Sequence, residues 1–153
     1  MDGGVVCMFE RYTENAKRVI FFGRYEAIRR GSRGIETEHL LLGLFRVDRR
    51  LTRKILGSGG LVKRYISSRS SIESIRHNVD IVGEKIPPSE QIPLSHLSLH
   101  VLDYAAKEAQ RCADRHVRSK HLLLGLLLED RGLAAKLLNA QGVTLERTRD
   151  KLA

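Results

Sequence analysis

Apolar positions along this chain recur mainly at spacings of three and four. Ala16, Val19, Ile20, Gly23 and Ala27 form one such stripe, and Leu94, Leu97, Val101, Leu102, Ala105 and Ala109 form another. Residues at these spacings share one face of a helix, so each stripe predicts an amphipathic helix packed on a core. Thr13 and Ser95 stand where an N-cap oxygen would accept an orphan backbone N–H, and Gly31 supplies a stop. Two denser runs follow, Leu40-Leu41-Leu42-Gly43-Leu44 and Leu122-Leu123-Leu124-Gly125-Leu126, with Thr37 and Ser119 as the expected caps. Leucines on almost every side of a helix require burial nearly all round, which puts these two segments at the centre. Shorter helices are expected over residues 50–56 and 132–139, and fourth helices near 72–82 and 145–152. No segment alternates with period two for long enough to require a sheet, so the expected class is all-α with about eight helices.

The pattern occurs twice. Overlaid on itself at an offset of 82 residues, the chain matches without a gap from residue 12 to residue 61. His39-Leu40-Leu41-Leu42-Gly43-Leu44 returns as His121-Leu122-Leu123-Leu124-Gly125-Leu126, and Glu26-Ala27, Arg33 and Asp48-Arg49 return as Glu108-Ala109, Arg115 and Asp130-Arg131. Past Gly60 the best offset falls to 73, which places a nine-residue insertion in the first copy within residues 58–70. All three prolines, Pro87, Pro88 and Pro93, lie in residues 83–93, which read as the linker. The expected organisation is an extension over 1–7, a first repeat over 8–82, the linker over 83–93 and a second repeat over 94–153, the two four-helix repeats forming one compact domain.

Charge adds a second asymmetry. The 153 residues carry 27 Lys plus Arg against 18 Asp plus Glu, a formal net charge of +9. Residues 1–82 hold 16 basic and 9 acidic side chains, whereas 83–153 hold 11 and 9. Arg46, Arg49, Arg50, Arg53 and Lys54 crowd the end of the leucine-rich helix and the helix after it, with Lys63, Arg64 and Arg69 in the insertion. Such a face is either a solvated surface or a patch for an acidic protein or nucleic acid. Aromatics make up only 5% of the chain and no helix-turn-helix or RNA-binding signature is present, which weighs against nucleic acid. No apolar run reaches the ~18 residues of a membrane span, residues 1–7 do not read as a signal peptide, and Cys7 and Cys112 match no CxxC spacing. These features suggest a cytoplasmic protein with no membrane partner, cofactor or metal.

The segment Phe9-Glu10-Arg11-Tyr12-Thr13-Glu14-Asn15-Ala16-Lys17-Arg18-Val19, together with the two His-Leu-Leu-Leu-Gly-Leu motifs, resembles the double Clp repeat, the N-terminal domain of ClpC-type and ClpA-type AAA+ unfoldases. The resemblance covers residues 8–153, starts at an initiator-like Met8 and implies two pseudo-symmetric four-helix repeats. It also implies a domain without enzymatic activity that binds adaptors or substrates for an ATPase. The chain contains no GxxxxGK[ST] phosphate loop, so ATP hydrolysis is not expected of it. It resembles free-standing Clp-repeat proteins, expected either to act on a Clp machine in trans or to have drifted to another binding role, and a truncated N-terminal piece of a longer unfoldase would look similar.

In ClpC-type domains the glutamate of each Thr-Glu-His motif lines a pocket for phosphorylated arginine. The resemblance carries that role onto Glu38, beside Thr37 and with Arg33 at one rim, whereas the second copy has Lys120 at the matching position. The alternative for Glu38 is a carboxylate that merely favours a helix N-terminus. Phe9 and Tyr12 either pack in the core or anchor an apolar binding patch. His39 and His121 are expected to be buried and hydrogen-bonded to backbone, and His96 and His100 to lie at the surface or at an interface. Leu42-Gly43-Leu44, superficially like a protease-docking tripeptide, is read as packing. The expected partner is therefore a protein: a Clp ATPase, an adaptor or a substrate segment, the last with or without phosphorylated arginine.

Overall fold

Thr13 and Ser95 do cap the first helix of each repeat: their side chains accept the N–H groups of Ala16 and Ser98, each at 3.2 Å. The computed structural model describes residues 9–57, 68–79, 81 and 83–153, with side chains omitted at 68–71; the extension over 1–7, Met8 and most of the insertion, including Lys63 and Arg64, lie outside the described residues, as does the Arg69 side chain. Within these limits there are eight helices and no strand. The first repeat holds α1 (Glu14–Arg29), α2 (Thr37–Val47), α3 (Arg49–Leu56) and α4 (Ser68–His77). The second holds α5 (His96–Arg111), α6 (Ser119–Leu128), α7 (Leu133–Ala140) and α8 (Leu145–Leu152). The fold is all-α, and α5 repeats the bounds of α1 shifted by 82 residues.

Backbone hydrogen bonds tie the copies together about an internal pseudo-two-fold. Tyr12 pairs with Val117, and Ile35 with Leu94, as isolated parallel bridges. Positions 12 and 35 become 94 and 117 under the 82-residue offset, so the two bridges are images of each other. Thr13 N–H donates to the Val117 carbonyl at 3.1 Å and Val117 N–H to that of Arg11 at 2.9 Å. Their images, Ser95 to Ile35 and Ile35 to Pro93, measure 3.0 and 2.8 Å. Each pair also satisfies donors at the start of a helix that the helix itself leaves unpaired.

The leucine-rich helices lie at the centre, as their composition requires. Leu41, Leu42 and Leu44 are at most 1% exposed, Leu122 and Leu126 at most 2%, and residues of both repeats join one continuous core. Gly43 and Gly125 allow α2 and α6 to approach α1 and α5. A Cβ at Gly43 would stand 2.4 Å from the Val19 carbonyl oxygen, and one at Gly125 would stand 2.5 Å from that of Val101. The Leu-Gly-Leu segments are thus packing elements.

Three expectations need correction. The caps of α2 and α6 are Glu36 and Arg118, so Thr37 and Ser119 are the first helical residues. In both copies the imidazole three residues past the cap accepts the cap's own N–H, at 3.0 Å from Glu36 to His39 and from Arg118 to His121. This frees the Thr37 hydroxyl for a tertiary contact. Gly132 caps α7 and lies outside it, and α4 starts and ends earlier than the expected 72–82.

Candidate functional site

Glu38 occupies the first turn of α2, half-buried, where the helix dipole favours a carboxylate. Its Oε2 accepts from the Thr37 hydroxyl at 3.4 Å. The same Thr37 oxygen accepts the Ala134 N–H at the start of α7, at 3.3 Å. Thr37 is 1% exposed, and a Cβ on Gly132 would come within 2.7 Å of its oxygen. Thr37 is therefore an inter-repeat clasp with no surface for a ligand, which corrects its place among the candidate contact residues. Glu38 sits at the rim of that seam.

The structure does not gather the other candidates around Glu38. Arg33 is exposed and faces Glu90 in the segment between the repeats, at 3.6 Å. Tyr12 is buried at 5% exposure, which removes it from any binding patch, and Phe9 packs edge-on against it with centroids 5.1 Å apart. Among the described residues the buried Tyr12 hydroxyl has no hydrogen-bond partner, and burial pushes its pKa up to about 12. Among the described residues the exposed aromatics are instead Phe21 and Tyr25 on α1.

The basic run divides into two. Arg46 stacks over the rings of Phe22 and Tyr25, 5.1 and 5.0 Å from their centroids, whereas Arg49, Arg50, Arg53 and Lys54 lie exposed on α3. Arg50, Arg53 and Lys54 line a cavity of about 1070 Å³ where α3 meets the starts of α1 and α6.

His39 and His121 are buried, 2% and 0% exposed, and act as backbone acceptors. Burial, aided by the charge of Arg30, lowers the His39 pKa to about 4; burial also lowers that of His121. His96 is exposed, and His100 is partly exposed. Its Nδ1 lies 3.0 Å from Oε2 of Glu129, which is 2% exposed, and 3.1 Å from the Arg131 guanidinium. Burial raises the Glu129 pKa, yet the hydrogen bonds from Arg131 and His100 outweigh it and hold the carboxyl below its ordinary value.

Sequence reasoning also missed the buried carboxylates Glu26 and Glu108. Glu26 pairs with Arg30, and Glu108 with Arg111 at 3.2 Å and Arg149 at 2.5 Å, the latter fastening α8 to α5. Their signal was an acidic side chain kept at the same position of both copies. Among the described residues no three potential ligands gather to hold a metal, and no helix is long and apolar enough to cross a membrane.

The fold and these seams define a duplicated all-helical domain whose exposed charged groups border the junction between its halves. The Clp repeat N-terminal domain model matches residues 11–141, and the chain belongs to that family. It is 34% identical over 146 residues to chaperone protein ClpB of Oceanobacillus iheyensis and 34% identical over 145 residues to the negative regulator of genetic competence ClpC/MecB of Bacillus subtilis. Each alignment covers 95% of this chain and 17% of the relative, so the chain spans about a sixth of the length of these relatives. Among solved structures, the N-terminal domain of ClpD from Arabidopsis thaliana aligns with TM-score 0.68 at 28% identity, covering 94% of this chain and 92% of that one. The Hsp104 N-terminal domain from Candida albicans shares the fold, with TM-score 0.72 at 20% identity and 93% and 89% coverage.

Proposed function

We propose that the chain is a non-enzymatic protein-binding module of a Clp system, with repeats over 8–82 and 94–153 following an extension over 1–7, which recognises an adaptor, a substrate segment or a Clp ATPase in the cytoplasm. Membership in the Clp repeat family carries this reading, and Glu38 is the residue proposed to contact the partner. Its half-buried carboxylate, in the first turn of α2 beside Thr37, is of the chemical class that accepts a guanidinium's N–H groups. Arg33, exposed beside Glu90, is a secondary candidate, and Phe9 is a further apolar one. An arginine-phosphorylated peptide is the sharpest probe of the Glu38 end.

The test is fluorescence anisotropy with that peptide and its unmodified counterpart, using wild type and Glu38→Gln. Selective binding of the modified peptide, weakened about tenfold or more by Glu38→Gln, is expected for a charge-assisted contact. Equal binding by the variant would remove Glu38 from the site. Failure to bind this peptide or a purified ClpC-type ATPase would overturn the proposal.

A further inference from the structure

The 82-residue offset relates two inter-repeat ends whose charges are opposed. At one end stand Glu36 and Glu38, with Gly132 of the facing repeat against Thr37 and with Ala135 and Lys136 following on α7. Their images at the other end are Arg118, Lys120, Arg50, Arg53 and Lys54. Two carboxylates become two cations, a glycine and an alanine become arginines, and only the lysine is retained. The five cations line the cavity of about 1070 Å³ between α3 and the start of α6.

We propose that this cleft binds a short acidic segment of a protein partner through its carboxylates. The inference rests on the protein-binding reading but concerns the end opposite Glu38. Its electrostatics favour an anion. Among the described residues the Lys120, Arg50 and Arg53 side chains have no ion-pair partner, while Arg118 is held by Asp114 at 2.8 Å. The two acidic residues in the wall are already engaged: Glu14 pairs with Lys17 at 3.4 Å, and Asp48 caps α3 by accepting the Leu51 N–H at 3.0 Å. The N-termini of α1 and α6 open onto the same cavity and add positive potential.

A peptide suits the wall better than a nucleic acid. Among the described residues no aromatic side chain lines the cleft to stack a base. An acidic peptide alternates charge with neutral backbone and can place carboxylates against Arg50, Arg53 and Lys120 while accepting hydrogen bonds from their N–H groups.

The test uses the whole chain and three labelled probes: a ten-residue Glu/Gly peptide, its Gln/Gly analogue and a ten-nucleotide single-stranded DNA. Wild type is expected to bind the Glu peptide, to ignore the Gln peptide, and to lose affinity as salt rises. The variants Lys120→Gln and Arg50→Gln/Arg53→Gln should each weaken binding about tenfold or more while keeping wild-type helical circular dichroism and melting temperature. Glu38→Gln should leave this binding unchanged, so failure here and failure of the Glu38 proposal remain separable. Undiminished binding by both cleft variants would overturn the proposal, as would absent Glu-peptide binding, tighter binding of the DNA, or occupation of the cleft by a second copy that excludes the peptide.

Discussion

His39 joins two demands that conflict in acid. Its imidazole must be neutral to accept the Glu36 N–H, and it is buried beside Arg30. The unfolded chain binds a proton at the ordinary pKa of 6.5, whereas the folded chain resists protonation down to about 4. Between these values the unfolded state holds more protons, so stability is full above pH 6.5 and falls as pH drops, levelling off below about 4. The whole change is roughly 3 kcal/mol from this residue, and His121 acts in the same direction. Urea unfolding at pH 7 and pH 4.5 should show this loss in wild type and a smaller one in His39→Gln. An equal loss in both would mean that His39 does not set the acid sensitivity.

At the scale of elements, the duplicated turn after the first helix shows what each copy tolerates. Gly31 has φ +69°, and a Cβ there would lie 2.5 Å from the Gly83 carbonyl carbon, so only glycine fits beneath the linker. Its image, Ala113, adopts φ +54° with a side chain that disfavours this region. Ala113→Gly should therefore raise stability by about 1 kcal/mol, a melting-temperature gain of roughly 2–4 °C. Gly31→Ala should lower stability by about 2 kcal/mol or more. Thermal melts of the two variants check the pair, and a destabilised Ala113→Gly would contradict the strain. The helices themselves were legible because Thr13, Ser95 and the leucine stripes obey local rules. The start of α2 was misread because Thr37 resembles a cap, while the capping acceptor is an imidazole three residues later. The place of Glu38 in the first turn of α2 was legible from its motif. The basic cleft was not, since it joins α3 to Lys120 across the seam and arises only when the repeats dock.

At the scale of the molecule, the seam determines whether the repeats behave as two units or one. The bridges at Tyr12–Val117 and Ile35–Leu94, the Thr37–Ala134 clasp and the shared core all cross it. Neither half can open without exposing the leucine-rich helix of the other, so unfolding should be a single cooperative transition. Val19 and Val101 test this because they are images of each other and both are at most 1% exposed. Val19→Ala and Val101→Ala should each destabilise the fold by roughly 2 kcal/mol. Calorimetry should then show one endotherm in each variant, shifted downward as a whole, with calorimetric and van't Hoff enthalpies equal. Two endotherms, with each substitution moving only its own, would mean that the seam is a weak contact between independent repeats. A cleft across such a seam would open and close with the contact, whereas a single transition would make the Glu38 end and the basic end fixed features of one rigid body.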